Sequence, residues 1–440
     1  MILRKSRWVG WLGVILIGVG MLFTEVSFGA EPVTIKVWTM WTKADVGDLT
    51  DNLVKEFETT HPNIKVDHLI VGYDAIVDKT RTAIAGGDPP DVATVWTRQA
   101  PGWADAGLLT PLDTFMTKQE LRELQQKFFP NAWNLYFYKG RLIGLTNSCN
   151  SYGLYWNKAR FREAGLNPER GPRTIAELDR YAEKLTEFND KGEIKKLGFL
   201  PWYPEDWIWT WGWVFGGDYY DAKTQKITAN NPKVVQSFEW KLSYVRKYGL
   251  QRITNFCAGI EAAGGRWVPG GPMYDGTIAM YYTGEWHPQN IAKYGPKMEY
   301  GVAPLPYPPG GRAKTSLTEG NFFIVPKGAK HPKEAWEFIK WFCSEEATEE
   351  FDSKIYNVPP LKSVAYKPGS VFTKWPMNVF VDIFASPNGK HDPYIPVLEE
   401  YITEMGAAQE AVIYGKKTPK EALDYVTQKI QTELDKYLKR

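Results

Sequence analysis

The sequence predicts an α/β protein built on a parallel sheet, and two observations in its first third carry that reading. Short stretches of alternating apolar residues recur between segments of helical periodicity, and turn residues mark each change. Thr34 to Trp38 points Ile35 and Val37 to one side, as a half-buried strand does. Asp48 then stands at an N-cap position before Leu49, Leu53 and Phe57, which share one helix face. His61-Pro62-Asn63 ends that helix, and Ile64, Val66, His68 and Ile70 form the next strand. A helix from Tyr73 to Ala85 stops at Gly86-Gly87, and Asp91 to Val95 makes a third strand. Strands joined by helical crossovers pair in parallel. Ligands of such sheets sit beyond the carboxyl ends of the strands, which here carry Trp38 to Asp45 and Trp96 to Gln99.

The middle of the chain is richer in helix. Thr174-Ile175-Ala176-Glu177 is a capping box that opens a helix faced by Leu178, Tyr181, Ala182 and Leu185. Nine aromatics crowd between Trp202 and Tyr220. A helix there would set Trp207, Trp211 and Phe215 on one face and send the others elsewhere. Asn321 to Val325 reads as a buried strand, and Pro332 starts a helix bearing Ala335, Trp336, Ile339 and Phe342. Thr418, Pro419 and Glu421 open a last helix faced by Leu423, Val426, Ile430 and Leu434.

Composition narrows the function. A chain of 440 residues allows about two or three domains. With 43% hydrophobic and 24% charged residues it is neither disordered nor a polytopic membrane protein. A net charge of +2, with Lys and Arg scattered, leaves no footprint for nucleic acid. Aromatic residues make up 15%, a load that suits ligands with flat apolar faces. Arg4, Lys5 and Arg7 precede an uncharged run from Trp8 to Phe23, and Ser27 and Gly29 follow in small-x-small spacing. Residues 1–29 therefore read as a secretory signal peptide cut after Gly29 or Ala30. The competing reading is an uncleaved anchor, for which the run is shorter than the ~20 residues a spanning helix prefers. Cys149, Cys257 and Cys343 allow at most one disulfide, and at least two are expected to be buried. The five histidines are dispersed without H-E-x-x-H, so neither metal nor cofactor is predicted.

Several segments, taken in order, resemble a known family. They are Phe57-Glu58 with His61 to Val66, Gly87 to Val92, Trp103 to Leu112, Tyr152 to Lys158, Gly276 to Met280 with Gly284-Glu285-Trp286, and Phe323 to Lys327 with the helix from Pro332 to Glu346. Together they resemble the extracellular solute-binding proteins of ABC transporters, in the sugar-binding group that includes maltose-binding protein. The resemblance implies the two-lobed periplasmic binding protein fold of type II, with a solute gripped between α/β lobes. It places the first crossing near Thr146 to Tyr152 and the second near Met280 to Trp286. The N-terminal lobe would combine residues 30–147 and 287–343, and the C-terminal lobe 148–286 and 344–440. The implied function is a monomeric periplasmic or extracytoplasmic component that binds a carbohydrate, an oligosaccharide, and delivers it to the membrane permease. No catalytic residue is implied.

A sugar ring has apolar faces and a belt of hydroxyls, so its site needs aromatic plates with amides or carboxylates, and unmatched polar groups are costly. By resemblance Trp286 is the stacking tryptophan beyond the second crossing, and Glu285 beside it accepts hydroxyls. Asn150 stands in the first crossing where maltose-binding proteins carry a glutamate, so the same solute does not follow. Trp41, Lys43 and Asp45 succeed the first strand, and Trp96, Arg98 and Gln99 the third. Arg98 occupies a turn that is acidic in maltose-binding protein; it points either to an acidic sugar or phosphate, or to a salt bridge within the protein. Trp207 and Trp211 are the candidates from the aromatic cluster, Trp267 from the loop Gly264 to Gly271, and Glu319 and Asn321 from the cleft rim. Two alternatives stand beside this reading. One keeps the fold with glycerol phosphate, a polyol or an acidic sugar as solute. The other is a secreted glycoside hydrolase using two carboxylates among Glu205, Asp206, Glu285 and Glu319.

Overall fold

The computed structural model describes residues 31–439, without the side chain of Asp45, and the expected signal peptide lies outside the described residues. The alternation expected from the first third is present. β1 (Val33–Thr39), α1 (Lys43–Val46), α2 (Leu49–Thr60), β2 (Ile64–Ile70), α3 (Ile76–Ala85) and β3 (Val92–Trp96) follow one another. β1 runs parallel to β2 from Val33↔Ile64 to Thr39↔Ile70, and parallel to β3 through Val37↔Val92. Ile35 and Val37 are buried while Thr34 is exposed, the two-residue period of a strand. α2 buries Leu49, Leu53 and Phe57. Asp48 precedes α2 without capping it, because its carboxylate accepts Lys43 Nζ at 2.8 Å instead. α3 begins three residues later than the spacing suggests, which leaves Tyr73 in the loop before it.

Downstream lie β4 (Leu109–Thr110), β5 (Cys149–Asn150), β6 (Tyr152–Asn157), β7 (Met280–Gly284), β8 (Tyr300–Ala303) and β9 (Glu319–Pro326). The first sheet has the order β2-β1-β3-β9-β4, with β5 also on β9. β6 is the centre of a second, antiparallel sheet between β7 and β8. Asn150 pairs with Glu319 in the first sheet while Tyr152 pairs with Gly284 in the second, so the chain changes sheets at Ser151. That is inside the expected first crossing.

The return differs from expectation. β7 hydrogen-bonds along its whole length to β6, and β8 does the same from the other side. Residues Met280 to Trp286 therefore make no crossing, and the chain regains the first sheet only between 304 and 318, ahead of β9. Residues 287–343 are divided between the sheets by the same pairing, β8 going to one and β9 to the other.

Of the helices, α4 (Ile175–Leu185) is capped by Thr174, which accepts the Glu177 N–H at 3.1 Å. The Glu177 carboxylate turns to the Arg173 N–H and leaves that box half closed. α5 (Thr210–Val214) has only five residues, so Trp207 precedes it and shares no helix face with Trp211. Trp211 is fully buried, packs on Trp240 of α6 (Pro232–Tyr248) at 4.6 Å, and donates its indole N–H to Pro201 O at 2.8 Å. It is a core residue, which corrects its candidacy as a ligand contact. α7 (His287–Tyr294) follows β7, and α8 (Pro332–Phe342) buries Ala335, Trp336, Ile339 and Phe342 as expected. α9 (Glu345–Ile355), expected with the second lobe, packs against the first sheet, where the Phe351 ring meets Trp41 at 4.9 Å. α10 (Leu398–Ile413) and α11 (Pro419–Leu438) lie against α6, and Thr418 and Glu421 close a full capping box on α11. Cys149 and Cys343 are buried, Cys257 is half-buried, and all three thiols are free.

Candidate functional site

Between the two sheets lies a cleft of about 670 Å³. Its floor is the change of sheet itself: Asn150 and Glu319, paired across β5 and β9, and Tyr152 at the start of β6. One wall comes from the carboxyl ends of β1, β2 and β3, with Trp41, Tyr73 and Trp96, together with Asn321 of β9 and Asn357 beyond α9. This is where a sheet of this kind is expected to hold ligand. Trp207, Trp286 and one face of α7 make the opposite wall. Trp41, Trp96, Asn150, Trp207, Trp286, Glu319 and Asn321, all named from the sequence, thus come together.

The rings brace one another. Trp286 meets Tyr152 edge-on at 5.5 Å and 89°, Trp207 leans on Tyr152 at 5.2 Å, and Tyr73 stacks on Trp96 at 5.8 Å. Gly284 is required here, because a Cβ at that position would come 2.0 Å from the Trp286 ring. Tyr152 Oη donates to Glu319 Oε1 at 2.5 Å. Burial pushes the Glu319 carboxyl above its ordinary range, against the opposing pull of that hydroxyl and of Arg98.

Glu285 does not line the cleft. It is fully buried beneath it, with Oε1 accepting from Asn150 Nδ2 at 2.9 Å and Oε2 from the Ser151 N–H at 2.8 Å. Burial pushes its pKa up to about 8. Both oxygens are engaged by the protein, so Glu285 orients Asn150 and does not meet a solute hydroxyl. Asn150 itself remains part of the cleft lining.

Other candidates lie elsewhere. Lys43, exposed on α1, is paired with Asp48 and Asp51, each at 2.8 Å. Asp45 belongs to the backbone of α1. The Arg98 guanidinium lies over the Trp96 ring at 5.3 Å, and its charge pulls the buried carboxyls of Glu319 and Asp392 down against the upward push of burial. Gln99 donates to Glu399 of α10 at 3.2 Å, and both it and Arg98 border a separate cavity of about 370 Å³. Trp267 packs on His287 at 5.4 Å, away from the cleft. The sequence reading missed Tyr73, Tyr152 and the α7 residues Gln289, Asn290, Lys293 and Tyr294. Tyr152 was hidden in a strand, but the α7 residues follow Trp286 at helical spacing, a signal present in the sequence.

Among the described residues the cleft offers flat rings, primary amides, one ammonium group and one carboxyl group, the complement of a hydroxylated ring with apolar faces. Comparison with known proteins agrees. The family model described as bacterial extracellular solute-binding protein matches residues 42–349. The mannotriose-bound structure of CpMnBP1 is 33% identical, with a TM-score of 0.77 over 90% of this chain and 99% of that one. The maltotriose-binding protein of Pyrococcus abyssi is 23% identical over 83% of this chain and 66% of its own length. The sn-glycerol-3-phosphate-binding periplasmic protein of Salmonella typhimurium is 22% identical over 92% and 93%. The chain belongs to the bacterial extracellular solute-binding proteins.

Proposed function

We propose that this chain captures an oligosaccharide of mannose-like rings in the cleft, outside the cytoplasm, and hands it as a monomer to the permease of an ABC importer. The observation that carries the reading is the lining: Tyr73, Trp96, Trp207 and Trp286 as plates over the buried edge of Trp41, with Asn150, Asn290 and Asn321 as hydroxyl partners. A volume of about 670 Å³ suits about two or three pyranose rings, within the usual range of ligand sites. CpMnBP1, the 33% identical relative, has been solved with mannobiose and with mannotriose.

The lobes follow the sheets in this reading. Residues 31–150 and 319–355 form one, and residues 152–303 with α10 and α11 the other. A solute touching both favours the closed form by the contacts that the open form cannot make. The sites named above act as ligand contacts through this closure.

A phosphate-bearing solute is less well served. Lys293 is the cation of the lining among the described residues, while the Arg98 guanidinium lies over the Trp96 ring and borders a separate cavity. Hydrolysis would need two carboxylates flanking one bond. Glu319 is the carboxylate of the described lining, while Asp206 is tied to Lys241 and Gln409 and Glu285 to Asn150 and Ser151.

Calorimetric titration with mannobiose, mannotriose, maltotriose and sn-glycerol 3-phosphate tests the reading. A saccharide is expected to bind with a dissociation constant near micromolar, about −8 kcal/mol, and to be recovered uncut. Heat from glycerol 3-phosphate alone, or steady release of smaller sugars, would refute it.

A further inference from the structure

We propose that the outer end of α7 carries a subsite, built on Tyr294 and Lys293, that reads the length of a linear saccharide; this rests on the carbohydrate reading above. Trp286, Gln289, Asn290, Lys293 and Tyr294 all line the cleft. Their spacing of zero, three, four, seven and eight puts them in one stripe along the helix. Each helical residue rises 1.5 Å, so the stripe runs about 12 Å from Trp286 to Tyr294. A single pyranose ring is too short to touch both ends. A chain of rings laid along α7 is not.

The two ends differ in character. At the inner end Trp286 stands against Tyr152, which is bonded to the buried Glu319, and Asn150 is close at hand. At the outer end the half-buried Tyr294 ring is backed by Tyr274 at 6.1 Å, and the exposed Lys293 holds its Nζ over that ring at 5.0 Å. The ammonium group thus lies where the C–H face of a sugar would settle. When a ring takes that place, the three ammonium donors turn to its hydroxyls.

α7 is held in place before any ligand arrives. Tyr294 O accepts the Gly270 N–H at 2.9 Å within the same lobe. His287, buried in the first turn, shares a bond of 2.9 Å with Tyr281 Oη. A fixed stripe costs little ordering when the ligand docks, so an added ring is converted into affinity.

Titration with two series tests this: mannose to mannotetraose, and glucose to maltotetraose. In the responding series affinity is expected to rise about tenfold per ring up to the third and then flatten. Tyr294→Ala should weaken the trisaccharide about tenfold more than the disaccharide, and Tyr294→Phe should restore the difference. Equal affinity for one ring and three, or an equal loss for di- and trisaccharide in Tyr294→Ala, would overturn the subsite and leave the proposed function standing. Silence of the native chain toward both series would overturn the proposed function, and the subsite with it.

Discussion

Replacing Trp286 by alanine tests the central claim that indole plates grip the solute. The ring is half-buried, with its edge against Tyr152 and its position permitted by the bare Cα of Gly284. The rest of it faces the cleft. Covering about 100 Å² of one indole face at ~25 cal/mol/Å² contributes about 2.5 kcal/mol. Stacking geometry adds about 0.5–1.5 kcal/mol. Losing about 3 kcal/mol raises the dissociation constant by roughly 150-fold. Isothermal titration of the responding saccharide measures this directly, and a thermal melt of the unliganded variant shows that the fold persists. Gly284→Ala provides an independent check, since its methyl group must displace a ring that is still present, and affinity should fall in the same direction. A Trp286→Ala dissociation constant within about threefold of the native value would refute the reasoning.

Other outcomes follow from the same geometry. Trp211→Ala empties a fully buried site against Trp240 and should cost about 3–5 kcal/mol in urea unfolding. Trp211→Phe should lose less. Glu285→Ala leaves the Asn150 amide and the Ser151 N–H without acceptors, so both melting temperature and saccharide affinity should drop, and unchanged affinity would separate Asn150 from the site. The pH dependence of stability has a defined sign. Glu285 is held at about 8, and Glu205 and Asp392 at about 7, by burial, whereas in the unfolded chain such groups titrate near 4 to 4.5. The unfolded state therefore binds fewer protons across that interval, and stability falls as pH rises through it. His287, depressed to about 3 by burial, acts oppositely, but only below its unfolded value near 6.5. Melting temperature should thus decline from pH 6.5 to pH 8, and Glu285→Gln should flatten the slope; a rise over that range would refute the assignment.

What could be read in the sequence was local. Ile35 and Val37 alternate, Leu49 and Phe57 share a helix face, and Thr418 and Glu421 cap a helix because each pattern is complete within a few residues. Strand partners are not local information. Met280 to Gly284 looks the same whether it crosses between sheets or stays in one, and the pairing that decides it involves Tyr152 to Trp156, far back in the chain. The same limit affected Arg98 and Gln99, which sit just past a strand end but border a separate cavity, where Gln99 bonds to Glu399 on a distant segment. Family resemblance, which carries long-range information that periodicity lacks, pointed to Trp286 and Asn150, and both line the cleft. Trp211 was misread because an isolated aromatic cluster does not say which ring meets Trp240.

The position of the sheet change has a consequence for how such a protein diversifies. In the proposed reading Asn150 and Glu319 belong both to the segments that flex and to the surface that meets the solute, with Glu285 bonded to both Asn150 and Ser151. Alterations there would disturb mechanics and recognition at once. Asn290, Lys293 and Tyr294 on α7 carry no such double duty in this reading, so a lineage can change its diet by exchanging them while the moving joint stays as it was.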